Sequence, residues 1–251
     1  MCGRFASFTD TQDLADELAI AEIAEDARLL PPSWNVAPTD PVRIVVERAG
    51  RDSDEVTRSL QLARWGLVPS WAKDPGVGAR MINARSETLL DKPAFAKPFA
   101  ARRCLVLADG YYEWRKLSLP ASGSKKIPKQ PYWIHPADAG VAAFAGLYEF
   151  WRNPAASETD PDRWLVSATV VTRPASDSMA PIHDRMPLVL PRDAWDTWLD
   201  PAVRDASDLL QIDNAPLTTR PVGDAVGSVR NDGPSLIEPD PEPRDPEPVL
   251  V

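Results

Sequence analysis

The sequence predicts an α+β fold: a single domain built on a curved, barrel-like, mostly antiparallel sheet with peripheral helices. Three observations lead there. Apolar stretches of strand length are many, and long amphipathic stretches are few. No strand–helix–strand alternation runs through the chain, and neither GxGxxG nor GxxxxGKS/T occurs. The 251 residues, 43% hydrophobic and 26% charged, suffice for one large core without staples.

The elements follow in order. Thr9 to Ile20 reads as an amphipathic helix, because Leu14, Leu18 and the Ala21/Ile23 region recur at helical spacing and Thr9 or Asp10 can cap its start. Pro31-Pro32 ends what precedes it, and Trp34-Asn35-Val36-Ala37-Pro38 is expected as a loop with an inward aromatic. Val42 to Glu47 and Leu60 to Leu67 are strands joined through the charged turn Arg51 to Glu55, a hairpin. Trp65-Gly66-Leu67-Val68-Pro69-Ser70-Trp71 leads into the loose stretch Asp74 to Gly78. Met81 to Arg85 reads as extended, Ser86 caps a short helix through Thr88 to Leu90, and Pro93 to Phe99 adds a helical turn. Arg103 to Ala108 is a strong buried strand running into Asp109 to Trp114, a further strand if Gly110 marks a bend or bulge. Ser118 to Pro131 is expected as a mobile loop rich in Ser, Lys, Pro and Gly. Tyr132 to His135, Ala142 to Phe150 and Trp164 to Thr172 are strands, with a polar hairpin loop over Asn153 to Asp162. Arg173 to Met179 reads as a capped short helix, Met186 to Leu190 as a strand, and Arg192 to Leu199 and Ala202 to Leu210 as helices. Residues 1–239 form the domain, and 240–251 an acidic, Pro-rich tail expected to be disordered.

Charge and cysteines narrow the function classes. A net charge of −9 argues against a generally basic nucleic-acid binder, since such affinity rests on Lys and Arg at phosphates. Residues 201–251 hold ten acids against four arginines, so most of the excess lies there and a local basic strip fits elsewhere. Cys104 opens the apolar run Cys104-Leu105-Val106-Leu107 and is read as a small buried hydrophobe. No CxxC or HxxxH spacing occurs, so neither a metal nor another cofactor is expected. Without a signal-peptide pattern or an apolar run near ~18 residues, an intracellular, cytoplasmic location is expected.

Candidate chemistry begins at Cys2. Removal of Met1 would leave a thiol and a free α-amine on one residue, with reference pKa values of about 8.5 and about 7.7–8.0. Such an aminothiol suits an aldehyde: the amine forms a Schiff base and the thiol closes a thiazolidine. The competing reading is an incidental cysteine in a frayed terminus. Glu113, between Tyr112 and Trp114, is either a desolvated acid–base group or an outward strand residue. His183, in Ala180-Pro181-Ile182-His183-Asp184-Arg185-Met186-Pro187, is either an acid–base group on a rigid loop or a loop histidine paired with Asp184. His135, at a strand end, reads as structural or exposed. Asn83 and Arg85 share one side of an extended segment and can fix a sugar hydroxyl and a phosphate, or line a solvated turn. Of Trp65 and Trp71, one suits the core and the other a stack on a base. Arg4, Arg80, Arg85 and Arg185 can meet phosphates if they converge.

Together, Met1-Cys2-Gly3-Arg4-Phe5, Trp34 to Pro38, Trp65 to Trp71, Asn83-Ala84-Arg85-Ser86-Glu87-Thr88, Gly110 to Trp114 and His183 to Pro187 stand in an order that closely resembles the SRAP family, the abasic-site-processing proteins with an SOS response-associated peptidase domain. The likeness runs from Cys2 to about Pro239, through Arg230-Asn231-Asp232-Gly233-Pro234, and leaves out the Lys-rich loop near Ser124 to Lys129 and the acidic tail. The resemblance implies a pseudo-barrel of bifurcated sheets. It implies an abasic-site sensor acting on single-stranded DNA and single-strand/duplex junctions, and one domain that needs only DNA is expected to work as a monomer. It makes Cys2 the crosslinking residue, Glu113 the proton shuttle, His183 a helper in ring opening and reversal, and Asn83 the sugar-orienting amide. Asn35, Arg4, Arg80, Arg85 and Arg185 become DNA contacts, and Trp71 the stacking wedge. Strand cleavage by β-elimination from the imine is expected as a minor lyase path. Two alternatives stand beside this: an N-terminal-nucleophile cysteine peptidase acting on its own Met1 or on other proteins, and a non-covalent reader of modified cytosine.

Overall fold

The computed structural model describes residues 2–50, 55–118 and 127–244. Its strands are β1 (Phe5–Ser7), β2 (Glu22–Ile23), β3 (Ser33–Val36), β4 (Pro41–Ala49), β5 (Val56–Trp65), β6 (Asn83–Arg85), β7 (Arg103–Ala108), β8 (Gly110–Lys116), β9 (Lys129–Pro136), β10 (Ala142–Arg152), β11 (Trp164–Pro174), β12 (Arg185–Pro187) and β13 (Leu217–Pro221). The helices are short: α1 (Thr11–Glu17), α2 (Glu25–Leu29), α3 (Pro93–Ala101) and α4 (Trp195–Leu199), with 3₁₀ turns between elements.

Strands β5, β4, β7, β10 and β11 lie side by side, and β11 pairs back on β5 in parallel at Ser167–Arg64 and Ala168–Trp65. That last pairing closes a five-stranded barrel. β6 and β12 extend it along β11, and β2 along β5. A second sheet, in the order β13-β9-β8-β1-β3, packs against it. Cys104, Val106 and Ala108 of β7 face the core shared with Phe5, Tyr111 and Ile134 of the second sheet. Leu105 and Leu107 face a second core closed by Leu14, Phe99 and Trp198. Burial on both faces is why this strand reads as an unbroken apolar run. Buried Arg103 fixes the helical layer by donating to the carbonyls of Phe99, Trp198, Asp200 and Val203.

Several sequence expectations are corrected. Arg173 to Met179 is no helix. β11 continues to Pro174 because β12 supplies a ladder partner, Thr172–Pro187 through Pro174–Arg185. Ala202 to Leu210 shrinks to a 3₁₀ turn over Ser207–Leu210. The carboxylates of Asp200 and Asp205 capture the backbone N–H groups of Ala202 and Ser207, and such local bonds compete with a helix. The first helix covers only Thr11–Glu17, since Ala19 turns the backbone left-handed at φ 51°. Residues Ser86 to Leu90 form turns rather than a helix. The Trp34 segment is strand β3, not a loop, and β1 and β13 were not anticipated. The bend falls at Asp109, and Gly110 opens β8. A Cβ there would lie 2.5 Å from the Ile134 carbonyl oxygen, so β8 could not approach β9. Of the expected tail, residues 240–244 are described: Asp240 donates its N–H to Pro221 and Arg244 its N–H to Gln130. Residues 245–251, the Lys-rich loop at 119–126 and the turn residues 51–54 lie outside the described residues.

Candidate active site

Cys2 is not frayed; it is fully buried in the core between the two sheets. Two pairings hold it. β1 runs antiparallel to β8 with Phe5 opposite Tyr111, and the Tyr112 N–H donates to the Arg4 carbonyl at 2.9 Å, extending the pairing back toward Cys2. From the barrel side, β6 lies parallel to β11 with Asn83 beside Val170, and the Asn83 amide donates to the Cys2 carbonyl at 2.8 Å. The Asn83 Oδ1 is buried and has no hydrogen-bond partner among the described residues.

Glu113, 4% exposed, takes the inward side of β8 together with Tyr111. Burial raises the Glu113 carboxyl above the usual carboxylate range, against the smaller opposing pull of His183. Its Oε2 lies 4.0 Å from His183 Nε2. Burial first, and the Glu113 charge second, push the Cys2 thiol up. The reference thiol value therefore does not carry over to this site, whose desolvation disfavours the thiolate. The Tyr111 hydroxyl is buried without a partner among the described residues and is pushed well up, by burial and then by Cys2 and Glu113. It was missed in the sequence, though its place two residues before Glu113 puts it on the same face.

His183 sits on the turn before β12, with Nδ1 3.0 Å from the Arg185 backbone nitrogen and 2.9 Å from an Asp184 carboxylate oxygen. His135 is not brought to this centre. It lies on β9, stacked on Trp133 on the outer side of the second sheet.

The tryptophan pair divides. Trp65 is fully buried and donates its indole N–H to the Ile82 carbonyl at 3.0 Å, whereas Trp71 is 69% exposed. The Trp71 loop is tethered where Trp151 donates to the Ala72 carbonyl at 2.7 Å. Its base crosses the 75–80 turn so closely that a Cβ on Gly66, at φ 120°, would meet the Gly78 carbonyl oxygen at 2.4 Å. Arg80 and Arg85 are exposed and have no ion-pair partner among the described residues. Arg185 is engaged: its guanidinium grips both Glu87 oxygens and donates to the Thr172 carbonyl at 2.8 Å. Arg4 and Asn35 serve as a brace. Arg4 donates to Asn35 Oδ1 at 2.7 Å and to the Val226 carbonyl at 2.9 Å, while the buried Asn35 amide donates to the carbonyls of Ser228 and Asn231. Asp232 completes the clamp by accepting the Trp34 N–H at 2.6 Å. The Arg230 to Pro234 motif thus ties the C-terminal segment to β3. A cavity of about 520 Å³ beside Glu87, lined also by Ser86, Arg173 and Ser176, reaches neither Cys2, Glu113 nor His183.

The chain is 38% identical over 200 residues to the abasic site processing protein YoqW of Bacillus subtilis (strain 168), covering 80% of each. It is 35% identical over 193 residues to the abasic site processing protein HMCES of Xenopus tropicalis, covering 67% of this chain and 54% of that one. A crystal structure of a Bacteroides thetaiotaomicron protein shares the fold, with a TM-score of 0.76 at 22% identity over 95% of this chain and 100% of that one. A phage-related protein of Bordetella bronchiseptica superposes with a TM-score of 0.61 at 28% identity, over 88% of this chain and 94% of that one. With these relatives, and a family sequence model that matches residues 1–229, the chain belongs to the SOS response associated peptidase (SRAP) family.

Proposed function

We propose that this protein processes abasic sites in DNA, and that it does so by sensing them in single-stranded DNA and at single-strand/duplex junctions and trapping them as a thiazolidine on Cys2. The observation that carries the reading is the burial of Cys2 against Glu113, with Asn83 holding its carbonyl. A terminal residue is seldom ordered this way without a task.

The chemistry balances with this chain's own groups. Once Met1 is removed, the Cys2 amine attacks the sugar aldehyde of the ring-opened site, and a carbinolamine forms. Glu113, whose burial favours its protonated form, gives a proton to the leaving hydroxyl; water departs and an iminium remains. The thiol then passes its proton to the Glu113 carboxylate, and sulfur bonds to the iminium carbon. The electron pair of the C=N bond returns to nitrogen. Overall, aminothiol plus aldehyde gives thiazolidine plus water. The raised thiol sets the order, with amine first and sulfur second. Closing the ring consumes the imine from which β-elimination would cleave the strand, so lyase activity is a minor path. His183 assists ring opening, and the free Asn83 Oδ1 orients the sugar. Trp71 stacks at the lesion, and Arg80 and Arg85 supply phosphate contacts, with Arg185 behind them. One copy holds every group, so the working unit is a monomer.

The test is a denaturing gel of Met-free protein mixed with single-stranded DNA carrying one abasic site. A shifted band with abasic DNA, absent with intact DNA and absent for Cys2→Ala, is expected. No band, or equal bands with both DNAs, would overturn the reading.

A further inference from the structure

Glu87 touches none of the groups in the proposed chemistry, yet its contacts lead straight to one of them. The Arg185 backbone N–H can only donate, so its 3.0 Å bond to His183 Nδ1 requires that nitrogen to be unprotonated. A neutral ring then carries its proton on Nε2, the nitrogen 4.0 Å from Glu113. An Nδ1–H turned toward Asp184, 2.9 Å away, would meet the amide hydrogen head-on. The Arg185 amide and the Asp184 carboxylate thus compete for one nitrogen, and holding the Arg185 backbone in place favours the tautomer with its proton on Nε2.

Arg185 is itself immobilised from its side chain, which is 10% exposed. Nη1 and Nη2 take the two oxygens of Glu87, and Nη2 also reaches the Thr172 carbonyl at 2.8 Å and its hydroxyl at 3.3 Å. The Glu87 carboxylate is steadied in turn by the Ser86 hydroxyl at 3.0 Å. This fork-to-fork geometry fixes direction as well as distance. From it we infer that Glu87 is a positioning residue: by clamping Arg185 it holds the amide that keeps the His183 proton on the nitrogen facing Glu113. The inference rests on the reading of Glu113 and His183 as the proton-transfer pair.

Glu87→Gln keeps one acceptor oxygen and loses the two-point grip, while Glu87→Asp keeps the charge on a shorter arm. Removing an acid near a DNA face ordinarily tightens DNA binding. A slower reaction with equal or tighter binding is therefore not explained by lost affinity. The experiment uses the Met-free full chain and three readouts. Non-covalent affinity is measured with single-stranded DNA carrying a tetrahydrofuran abasic analogue, which has no aldehyde. Crosslinking is followed in single turnover at saturating abasic DNA, and the His183 tautomer is read from the ¹⁵N shifts of its ring nitrogens. For Glu87→Gln we expect affinity equal or tighter, a rate lower by about ten-fold or more, and Nδ1 moved off its acceptor-type shift. Glu87→Asp should recover part of both. A Glu87→Gln rate within about two-fold of wild type, too small for a misplaced proton-transfer group, or unchanged ring shifts, would overturn the inference. Failure of the wild-type protein itself to crosslink would strike the proposed function instead, and the ring shifts would still decide the role of Glu87.

Discussion

Glu113→Gln separates a reacting acid from a structural one more sharply than any other single change. Gln preserves shape and removes only the proton exchange. Positioned acid–base groups contribute about 10²–10⁴-fold, so single-turnover crosslinking at saturating abasic DNA should slow by at least about 100-fold. Stability should move the other way. Burial is the largest influence on this carboxyl and raises its pKa; the His183 pull, across 4.0 Å, is smaller. A carboxyl whose folded pKa is raised favours the fold below its unfolded pKa and loses that contribution as pH rises through the folded pKa. Each unit of elevation corresponds to about 1.4 kcal/mol. At neutral pH the wild type therefore carries a penalty that the amide does not, and the variant should melt no lower, with the gap widening as pH climbs through the raised pKa. Single-turnover kinetics and melting curves from acid to neutral pH supply both halves. A rate within about three-fold of wild type, below any acid–base contribution, or a variant clearly less stable at neutral pH, would refute the role given to Glu113.

Three further outcomes follow from other parts of the structure. Trp71→Ala should leave melting unchanged, because the ring is 69% exposed. A stacking contact is worth about 1–3 kcal/mol, so its affinity for abasic single-stranded DNA should fall by five-fold or more in a fluorescence-anisotropy titration. Asn35→Ala removes the bonds to Ser228, Asn231 and Arg4 from a buried site. At roughly 0.5–1.5 kcal/mol each, urea unfolding should register a loss of about 2–4 kcal/mol, with the C-terminal segment exchanging its amide hydrogens first. Glu87 is held at a pKa of about 2, chiefly by Arg185. A depressed carboxyl stabilises the fold above its unfolded pKa and loses that as pH falls toward the folded value. The acid limb of the melting curve between about pH 4 and pH 2 should accordingly be shallower in Glu87→Gln.

What was legible in the sequence had local causes. The central barrel strand β7 announces itself because burial on both faces forces an unbroken apolar run from Cys104 to Ala108. Gly110 stood out as a special position because only glycine lets β8 approach β9 there. The short strands β1, β3 and β13 exist through partners far away in the chain, which no local pattern carries. The helices expected over Arg173 to Met179 and Ala202 to Leu210 failed for two reasons: a ladder partner extended β11, and aspartate side chains took the backbone N–H groups. At the site, residue types pointed to Cys2, Glu113, His183 and Asn83, but their meeting point depends on β1, β6, β8 and the β12 turn converging. The bracing work of Arg4 and Asn35 was hidden because their partners are carbonyls near residue 230. The rise in the Cys2 thiol was hidden because burial of a terminus has no sequence pattern.

The central claim is that the amine and thiol of Cys2 together capture the aldehyde. Mass spectrometry of the peptide released from the crosslinked protein, before and after borohydride treatment, tests it most directly. The account predicts a peptide beginning at Cys2 whose mass is that of peptide plus sugar fragment less one water, unchanged by borohydride because a thiazolidine has no C=N bond to reduce. An adduct that gains two hydrogens on reduction, or one that maps to any other residue, would contradict it.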